Sequence, residues 1–326
     1  MEPIACTPST TPLFQNSDPF DVLAVTLRAN FDDVNRQPTK AEATSPGVLS
    51  YVDPISEAPV TVACSVGARG KSRFTYCGWR PIRLRFEGNP GGTLLDGTGK
   101  VIKVVTHCGF KPGDQWVLGG TPEEHTRRVM QEFALYQVLA TLGSSSLATR
   151  LALIKYENPD GTTLDTQYGF FREREKRAAQ RCGFKRLEFD EGDPGLPPNP
   201  TSNFQVHFHH RFIFSHDYSP QYEHNVIRIG SPSGQEYYIP YDFDLSGIIR
   251  PIYFKNNGWS IEENGEQLIS WLTSGTNQDL VHAQVSSLLQ HESEMRHCVN
   301  NGLVDATGKA RLQEWFEDHI DRLKNY

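Results

Sequence analysis

The sequence has no long apolar segment: none of its hydrophobic runs approaches the roughly 18 residues that a membrane-spanning helix needs. The first residues, MEPIACTPSTTPLF, contain neither a basic region nor an apolar core, so they are not a signal peptide as written. We therefore expect a chain that is cytosolic or that begins after a removed leader. No internal repeat is apparent.

A surplus of positive charge is also missing. The formal net charge is −7 and the basic clusters are short, which argues against a nucleic-acid partner. Charged residues make up 22% of the chain and hydrophobic residues 37%, the composition of a globular protein rather than of a disordered or membrane protein. The 326 residues suffice for one large domain or two smaller ones.

Metal-binding motifs built on cysteine and histidine are absent as well. Without a CxxC pair, a zinc site of the usual ligand spacing is not expected. Without HExxH, the histidines of the segment VHFHHRF are expected to be structural or exposed, although His207, His210 and His216 could share one side of a helix. The six cysteines could form disulfides in an exported protein or remain buried thiols.

The first half of the chain contains mainly strand patterns. Strands are predicted in DVLAVTLRAN, PVTVACSVGARG, RPIRLRFEG and KVIKVVTHC, from alternation or from β-branched residues. The segment TPEEHTRRVMQEFALYQVLATLG predicts a long helix with Thr121 as N-cap, Pro122 in its first turn and Gly143 at its end. Two more strands, LATRLALIKYEN and TQYGFFRERE, are expected to form a hairpin around NPDGTT.

The second half reads as mostly helical. A short helix in REKRAAQRCG precedes a Pro- and Gly-rich loop or lobe linker at residues 189–203. Helices are then predicted in NFQVHFHHRFIFSHD, at Gln267–Ser274, from Asn277 to about Val299, and in the last segment of the chain. Two short strands, NVIRIG and EYYIPYDFD, are expected to pair across SPSG.

This order predicts an α+β protein with two lobes. We expect a flexible N-terminal segment at residues 1–20, a strand-rich N-lobe at residues 21–172 and a mainly helical C-lobe at residues 173–326.

Lys103 and Glu132 form the first candidate pair. Lys103 lies in mid-strand among valines, where an outward-facing lysine is the ordinary explanation, and Glu132 lies in mid-helix, where surface glutamates are common. A strand lysine followed by a helix glutamate is nevertheless the order found in phosphotransferases, in which the glutamate holds the lysine on the nucleotide phosphates.

Asp217 and Asn225 enclose a short polar loop that leads into a strand. Both residue types are frequent in turns, so a structural role is a real alternative. In a chemical role, Asp217 would orient or deprotonate a hydroxyl group and Asn225 would offer its side-chain oxygen to Mg²⁺.

Asp242 and Asp244 follow an apolar strand segment, YYIP. If strand alternation continued through them, both carboxylates would point to one face and would repel each other unless a cation lay between them. Mg²⁺ suits such oxygen ligands, but the same DxD pattern occurs in glycosyltransferases, in phosphatases and as a turn.

A glycine-bearing basic turn is the last candidate. In SVGARGKSRF, Gly67, Arg69 and Gly70 could lie over phosphate groups. A plain hairpin turn explains the same residues.

Several of these segments occur together in one order that resembles a family. They are GARGKSRFTYCGWRPIRLRF, KVIKVVTHC, QEFALYQVLATLGSSSLATRLALIKYE, YGFFRERE, HDYSPQYEHNVIRI and YIPYDFDLSG. This set resembles uncharacterised exported bacterial proteins related to the spore-coat kinase CotH, over roughly residues 20–255. The resemblance implies a two-lobed, atypical protein-kinase-like fold, with a nucleotide cleft between a strand-rich N-lobe and a mainly helical C-lobe.

The resemblance also implies roles for particular residues. Lys103 would bind the nucleotide with Glu132 as its partner, and Glu173 would lie near the hinge between the lobes. Asp217 would be the catalytic-loop acid. The metal ligands would be Asn225, Asp242 and Asp244, the last as a second ligand or a substitute.

The sequence departs from the ordinary kinase pattern in several places. It has no GxGxxG loop and no HRD motif, and Asn225 follows Asp217 at a longer spacing than usual. CotH-like sequences often have Trp where this chain has Tyr218. Because Cys77 and Cys108 both lie in family motifs, the resemblance makes them the first candidate for a disulfide.

Together, these features predict a phosphotransferase that uses ATP and Mg²⁺ or Mn²⁺ and acts on a hydroxyl group, with a protein as the expected substrate. Alternatives are transfer of AMP or an amino acid by the same fold, a pseudokinase or secreted binding module without catalysis, and a metal-dependent hydrolase or glycosyltransferase. The resemblance implies export to the periplasm or the cell exterior, and a cytoplasmic location stays open.

Overall fold

The computed structural model describes residues 6–36, 44–70, 77–108, 121–142, 146–188, 195–249, 260–275, 277–301 and 303–326. The chain forms two compact units. One comprises Ser9–Met130 and Ala148–Arg174, and the other comprises Met1–Pro8, Gln131–Leu147 and Glu175–Tyr326. The first contains mainly strands and the second mainly helices, so the predicted α+β class is confirmed, whereas the predicted lobe boundaries stay a prediction.

The strand-rich unit is a closed β-barrel with the strand order β1-β2-β3-β4-β5-β7-β6. Its strands are β1 Leu23–Ala29, β2 Ser45–Val52, β3 Pro59–Ala68, β4 Ile82–Arg85, β5 Val101–Val105, β6 Thr149–Glu157 and β7 Thr163–Arg172. Neighbouring strands are antiparallel except β1 and β6, whose parallel pairing closes the barrel. A short helix, α1 Phe31–Arg36, follows β1.

Alternating apolar residues fill the barrel. Along β1, Val25 and Leu27 are buried while Ala24 and Arg28 are exposed. Val66 of β3, Leu84 of β4 and Ile102 of β5 belong to the same buried cluster. Burying one such side chain contributes roughly 1.5–3 kcal/mol, which explains why the strand predictions based on alternation are confirmed.

The long predicted helix is confirmed as α2 Pro122–Thr141. Thr121 forms the expected cap: its Oγ1 accepts a hydrogen bond from Glu124 N at 3.3 Å, and Glu124 Oε2 accepts one from Thr121 N at 2.9 Å. This reciprocal pair is a capping box, which satisfies main-chain donors that have no partner inside the helix.

The helical unit contains a three-stranded sheet of order β10-β9-β8 surrounded by helices. Its elements are α3 Glu175–Arg181, β8 Lys185–Arg186, α4 Pro200–Phe212, β9 Val226–Gly230, β10 Glu236–Pro240, α5 Ile261–Ser274, α6 Gln278–Gln290, α7 Glu292–Val299 and α8 Ala306–Lys324. Trp315, fully buried on α8, donates its indole N–H to Phe212 O at 2.6 Å and so joins the last helix to α4.

Three sequence-based expectations are corrected. The helix predicted from Asn277 to Val299 is two helices that meet at His291, the residue that caps both. The loop predicted at residues 189–203 is shorter, because Asn199 caps α4 by accepting a hydrogen bond from Ser202 N at 3.0 Å; residues 189–194 lie outside the described residues.

The third correction concerns the N-terminal segment, which was expected to be flexible. Leu13 is 1% exposed and its N–H donates to Leu94 O at 2.8 Å. Cys6 forms a disulfide with Cys182. Residues 6–20 are therefore tied down by apolar burial, hydrogen bonding and a covalent bond.

The predicted disulfide between Cys77 and Cys108 is present, within the strand-rich unit. The Cys6–Cys182 disulfide lies within the helical unit and was not predicted. Cys64 and Cys298 are buried thiols. No helix in the described ranges is long and apolar enough to cross a membrane.

Candidate functional site

The loop between α4 and β9 joins the two residues predicted to act in catalysis and metal binding. Within this loop, Ser219 N–H donates a hydrogen bond to His224 O at 2.9 Å, and His224 N–H donates one to Ser219 O at 3.0 Å. The Asn225 side-chain amide donates to the main-chain oxygen of Asp217 at 2.6 Å and to its Oδ2 at 3.0 Å. The loop is therefore a closed turn with Asp217 and Asn225 in direct contact.

Both carboxylate oxygens of Asp217 accept hydrogen bonds. Oδ2 accepts from Asn225, and Oδ1 faces the Nε2 of His224 at 2.8 Å. The Asp217 side chain keeps 29% of its surface exposed and that of His224 keeps 52%. Asp217 is thus held in one orientation while solvent still reaches it. His224 was not predicted as a site residue. Its position directly before Asn225 is the sequence feature that could have indicated it.

The hairpin β9–β10 brings Asp242 close to Asn225. Val226 pairs with Pro240 in the hairpin, and beyond this pair Tyr241 N donates to Asn225 O at 3.0 Å. Asp242 is the next residue, so it lies at the end of the hairpin that carries Asn225. The hairpin predicted across SPSG creates this proximity through its antiparallel register.

The alternation argument for Asp242 and Asp244 is wrong, because β10 ends at Pro240. Asp242 has a φ of 63° and Asn225 a φ of 51°, in the left-handed region that Asn and Asp adopt more readily than other non-glycine residues. Phe243, between the two acids, is fully buried, and both acids are half-buried. A local turn anchored by Phe243, rather than a strand, therefore sets the positions of the two carboxylates.

Helix α2 supports this turn from within the helical unit. The hydroxyl of Tyr136 accepts a hydrogen bond from Asp242 N at 2.9 Å, and its ring lies 4.7 Å from that of Phe243. Glu132 is buried one helical turn earlier, on the side of α2 that carries Tyr136. Tyr136 is therefore a supporting residue that the sequence analysis did not predict.

Two histidines of α4 hold the residue after Asp217. The Nδ1 of His207 lies 2.8 Å from the hydroxyl of Tyr218, and the ring of His210 stacks on the Tyr218 ring at 3.9 Å. Burial lowers the pKa of both histidines. The expectation of structural histidines is met here, and they support the Asp217 loop.

The other predicted residues belong to the strand-rich unit. Lys103 is half-buried in the middle of β5. Gly67 lies in β3, and Arg69 N donates to Pro81 O at 2.7 Å just beyond it. Gly70 has a φ of 100°, which only glycine adopts readily, and residues 71–76 of the basic turn lie outside the described residues. Whether these residues face the Asp217 loop stays a prediction.

Glu173, expected near the hinge, is 5% exposed. Its Oε2 accepts a hydrogen bond from Ala148 N at 3.1 Å, and its own N–H donates to Ala148 O at 2.8 Å. These bonds continue the β6–β7 pairing by one step, so Glu173 has a structural role in the strand-rich unit.

The donors of the helical unit fit Mg²⁺ chemically. The amide nitrogen of Asn225 is engaged by Asp217, which leaves its oxygen as the atom for a cation, and Asp242 supplies a carboxylate. One or two carboxylates with further oxygens from phosphate and water are typical of Mg²⁺ sites. In the part of the chain that the structure describes, no group of three or more His, Cys, Asp or Glu could hold a metal ion by itself.

The site thus belongs to an α+β protein in which Asp217 contacts Asn225 at the start of a hairpin, and Asp242 follows the end of the same hairpin. The structure is similar to the crystal structure of a Helicobacter pylori proinflammatory kinase, CtkA, with a TM-score of 0.45 and 10% sequence identity, over 80% of this chain and 95% of that one. No family model and no curated protein matches the sequence.

Proposed function

We propose that the protein is a CotH-like phosphotransferase that uses ATP and Mg²⁺ and acts on a hydroxyl group. The observation that supports this most is the direct contact of Asp217 with Asn225, together with the hydrogen bond that places Asp242 beside Asn225. A catalytic acid close to an asparagine and an aspartate that can bind metal ions is the arrangement by which protein kinases transfer phosphate to a hydroxyl group.

Each residue then has one task. Asp217 orients the acceptor hydroxyl and takes its proton as the oxygen attacks the γ-phosphorus. The bond from that phosphorus to the bridging oxygen breaks, and ADP leaves. His224 and Asn225 keep the Asp217 carboxylate in place through their hydrogen bonds. Positioning of this kind supplies much of the rate enhancement in phosphoryl transfer.

The binding residues have tasks as well. As the family resemblance implies, Lys103 would bind the phosphates with Glu132 as its partner, and Gly67, Arg69 and Gly70 would cover them. Asn225 and Asp242 would hold Mg²⁺, with Asp244 as a further ligand. When bound, the ion neutralises phosphate charge. The hydrogen bond from Asp242 N to Tyr136 holds the main chain of Asp242 and so restricts the positions that its carboxylate can take.

The expected acceptor is a protein hydroxyl, outside the cytoplasm. Support for export comes from the family resemblance and from the two disulfides, which form and persist in oxidising compartments.

Nucleotide binding tests the proposal. Thermal unfolding of the full chain is measured with and without ATP and MgCl₂, for the wild type, for Asp242→Ala and for Asp321→Ala. Asp321 is an exposed acid on α8 of the same unit and serves as the charge control. We expect ATP with Mg²⁺ to raise the melting temperature of the wild type and Asp321→Ala, but not of Asp242→Ala.

A melting temperature that no nucleotide changes would contradict the proposal and favour a binding module without catalysis. Intact-mass analysis of acceptor proteins then distinguishes the groups transferred. Addition of AMP, rather than of phosphate, would contradict phosphotransfer and favour nucleotide transfer by the same residues.

A further inference from the structure

A row of three cations crosses the barrel sheet at Lys103. The strand register places Arg83 of β4 directly opposite Lys103 of β5, and Lys103 directly opposite Arg172 of β7. The row ends at Gly67 of β3, opposite Arg83, and at Thr149 of β6, opposite Arg172. Residues directly opposite in antiparallel strands point to the same face.

This face lies outside the barrel core. The residues that precede and follow the cations in sequence, such as Leu84, Ile102 and Val104, are buried in the core cluster, so the cations point the other way. Even so, the cations are not on an open surface: Arg172 is 1% exposed, and Arg83 and Lys103 are half-buried.

Like charges directly opposite each other destabilise strand pairing unless other groups compensate them. All three side chains also interact elsewhere in the protein, so an incoming anion would share them with internal partners. Three positively charged groups in a row match the spacing of a ligand with several negative charges in a line.

We propose that Arg83 and Arg172 extend the phosphate site of Lys103 into a three-cation row that binds a chain of phosphate groups. The inference rests on the proposed function, because it names further residues for the same nucleotide. Neighbouring strands lie about 4.8 Å apart, so the row covers about 10 Å, which is more than one phosphate group needs. The planar guanidinium groups can each bind a phosphate through two N–H donors, which Lys103 cannot do.

Isothermal titration of the full chain tests the row. The variants are Arg83→Gln, Arg83→Lys and, as matched control, Arg85→Gln. Arg85 lies on the same strand and the same face, but it is exposed and is opposite Ser65 and Val101 rather than another cation. The ligands are ATP with Mg²⁺, AMP, and inorganic tripolyphosphate in EDTA.

We expect Arg83→Gln to raise the Kd for ATP and for tripolyphosphate at least about tenfold, the effect of losing one charged hydrogen bond. Arg83→Lys should lose less, Arg85→Gln should resemble the wild type, and AMP binding should change least. Unchanged melting temperatures would show that Arg83→Gln is folded. If the wild type and Arg83→Gln bind ATP with equal affinity, the proposal that the row binds phosphate groups is contradicted, whereas the proposed function is not.

The tripolyphosphate measurement separates the two proposals. If the wild type binds tripolyphosphate but not ATP, and Arg83→Gln weakens that binding, the row is supported as a polyphosphate site and the proposed kinase function fails. If the wild type binds neither ligand, both proposals are overturned.

Discussion

The side-chain amide of Asn225 donates hydrogen bonds to both the main-chain oxygen and the carboxylate of Asp217. The substitution Asn225→Gly tests the importance of this contact for activity. Glycine accepts the φ of 51° without strain, so the substitution removes the side chain and keeps the loop. We expect phosphotransfer to fall by about 100-fold or more, because Asp217 loses one of its orienting donors and the proposed Mg²⁺ site loses a ligand.

The matched control is Glu223→Gly, which makes the same backbone change at a residue of the same loop with a φ of 49°. Steady-state rates and melting temperatures of both variants are compared. If Glu223→Gly loses as much activity as Asn225→Gly, loop flexibility rather than the amide contact explains the effect.

Tyr136→Phe tests the support of the Asp242 turn. The ring and its contact with Phe243 remain, but the main-chain N–H of Asp242 loses its acceptor. We expect a loss of about 1–3 kcal/mol in the free energy of unfolding in urea, together with weaker Mg²⁺-dependent ATP binding. Tyr222→Phe, at a tyrosine that is 65% exposed, should change neither quantity.

The Cys77–Cys108 disulfide closes a loop with a sequence separation of 31 residues. Replacing both cysteines by serine should lower the free energy of unfolding by about 3–4 kcal/mol, because the unfolded chain regains entropy. Denaturant titration of the double variant measures this. Thiol labelling provides the control: in the folded wild type Cys64 and Cys298 should not react, because both are buried.

The buried histidine His209 makes stability depend on pH. Burial lowers its pKa from 6.5 to about 4, so the folded state keeps it neutral while the unfolded chain takes up a proton first as the pH falls. Its contribution is therefore complete above about pH 6.5 and is lost as the pH falls toward 4. Unfolding free energies between pH 7 and pH 5 should decrease, and less steeply in His209→Leu.

His282→Gln is the control for that experiment, since His282 is exposed. A pH dependence in His209→Leu equal to that of the wild type would show that His209 does not contribute. Burial also lowers the pKa of His210 and His319, so part of the acid sensitivity should remain in the variant.

Sequence patterns predicted the fold where one physical signal dominates. Alternation located β1, β3 and β4, and capping chemistry located α2. The strand β2 was not predicted, and its first residues include Pro46 and Gly47, which are more typical of turns than of strands. The structure explains the glycine: a Cβ at residue 47 would lie 2.8 Å from Arg28 O and 2.9 Å from Val66 Cγ2, so only glycine allows the three strands to approach.

The candidate site was partly predictable. The residue types and their order pointed to Asp217, Asn225 and Asp242, and the hairpin that brings Asp242 close to Asn225 was also predicted. The hydrogen bonds from the Asn225 amide to Asp217 depend on the turn between these residues, which no local pattern revealed. The supporting hydroxyl of Tyr136 comes from a helix far away in sequence. The cation row at Lys103 likewise arises from the pairing of three strands, two of which are not neighbours in sequence.

The fate of ATP tests the central claim most directly. The full chain is incubated with ATP, MgCl₂ and a mixture of acceptor proteins, and ³¹P NMR follows the nucleotides while mass spectrometry identifies modified acceptors. We expect ADP to form together with phosphorylated hydroxyl groups, and both to be lost in Asp217→Asn. Intact ATP after long incubation, or AMP and pyrophosphate in place of ADP, would contradict the account.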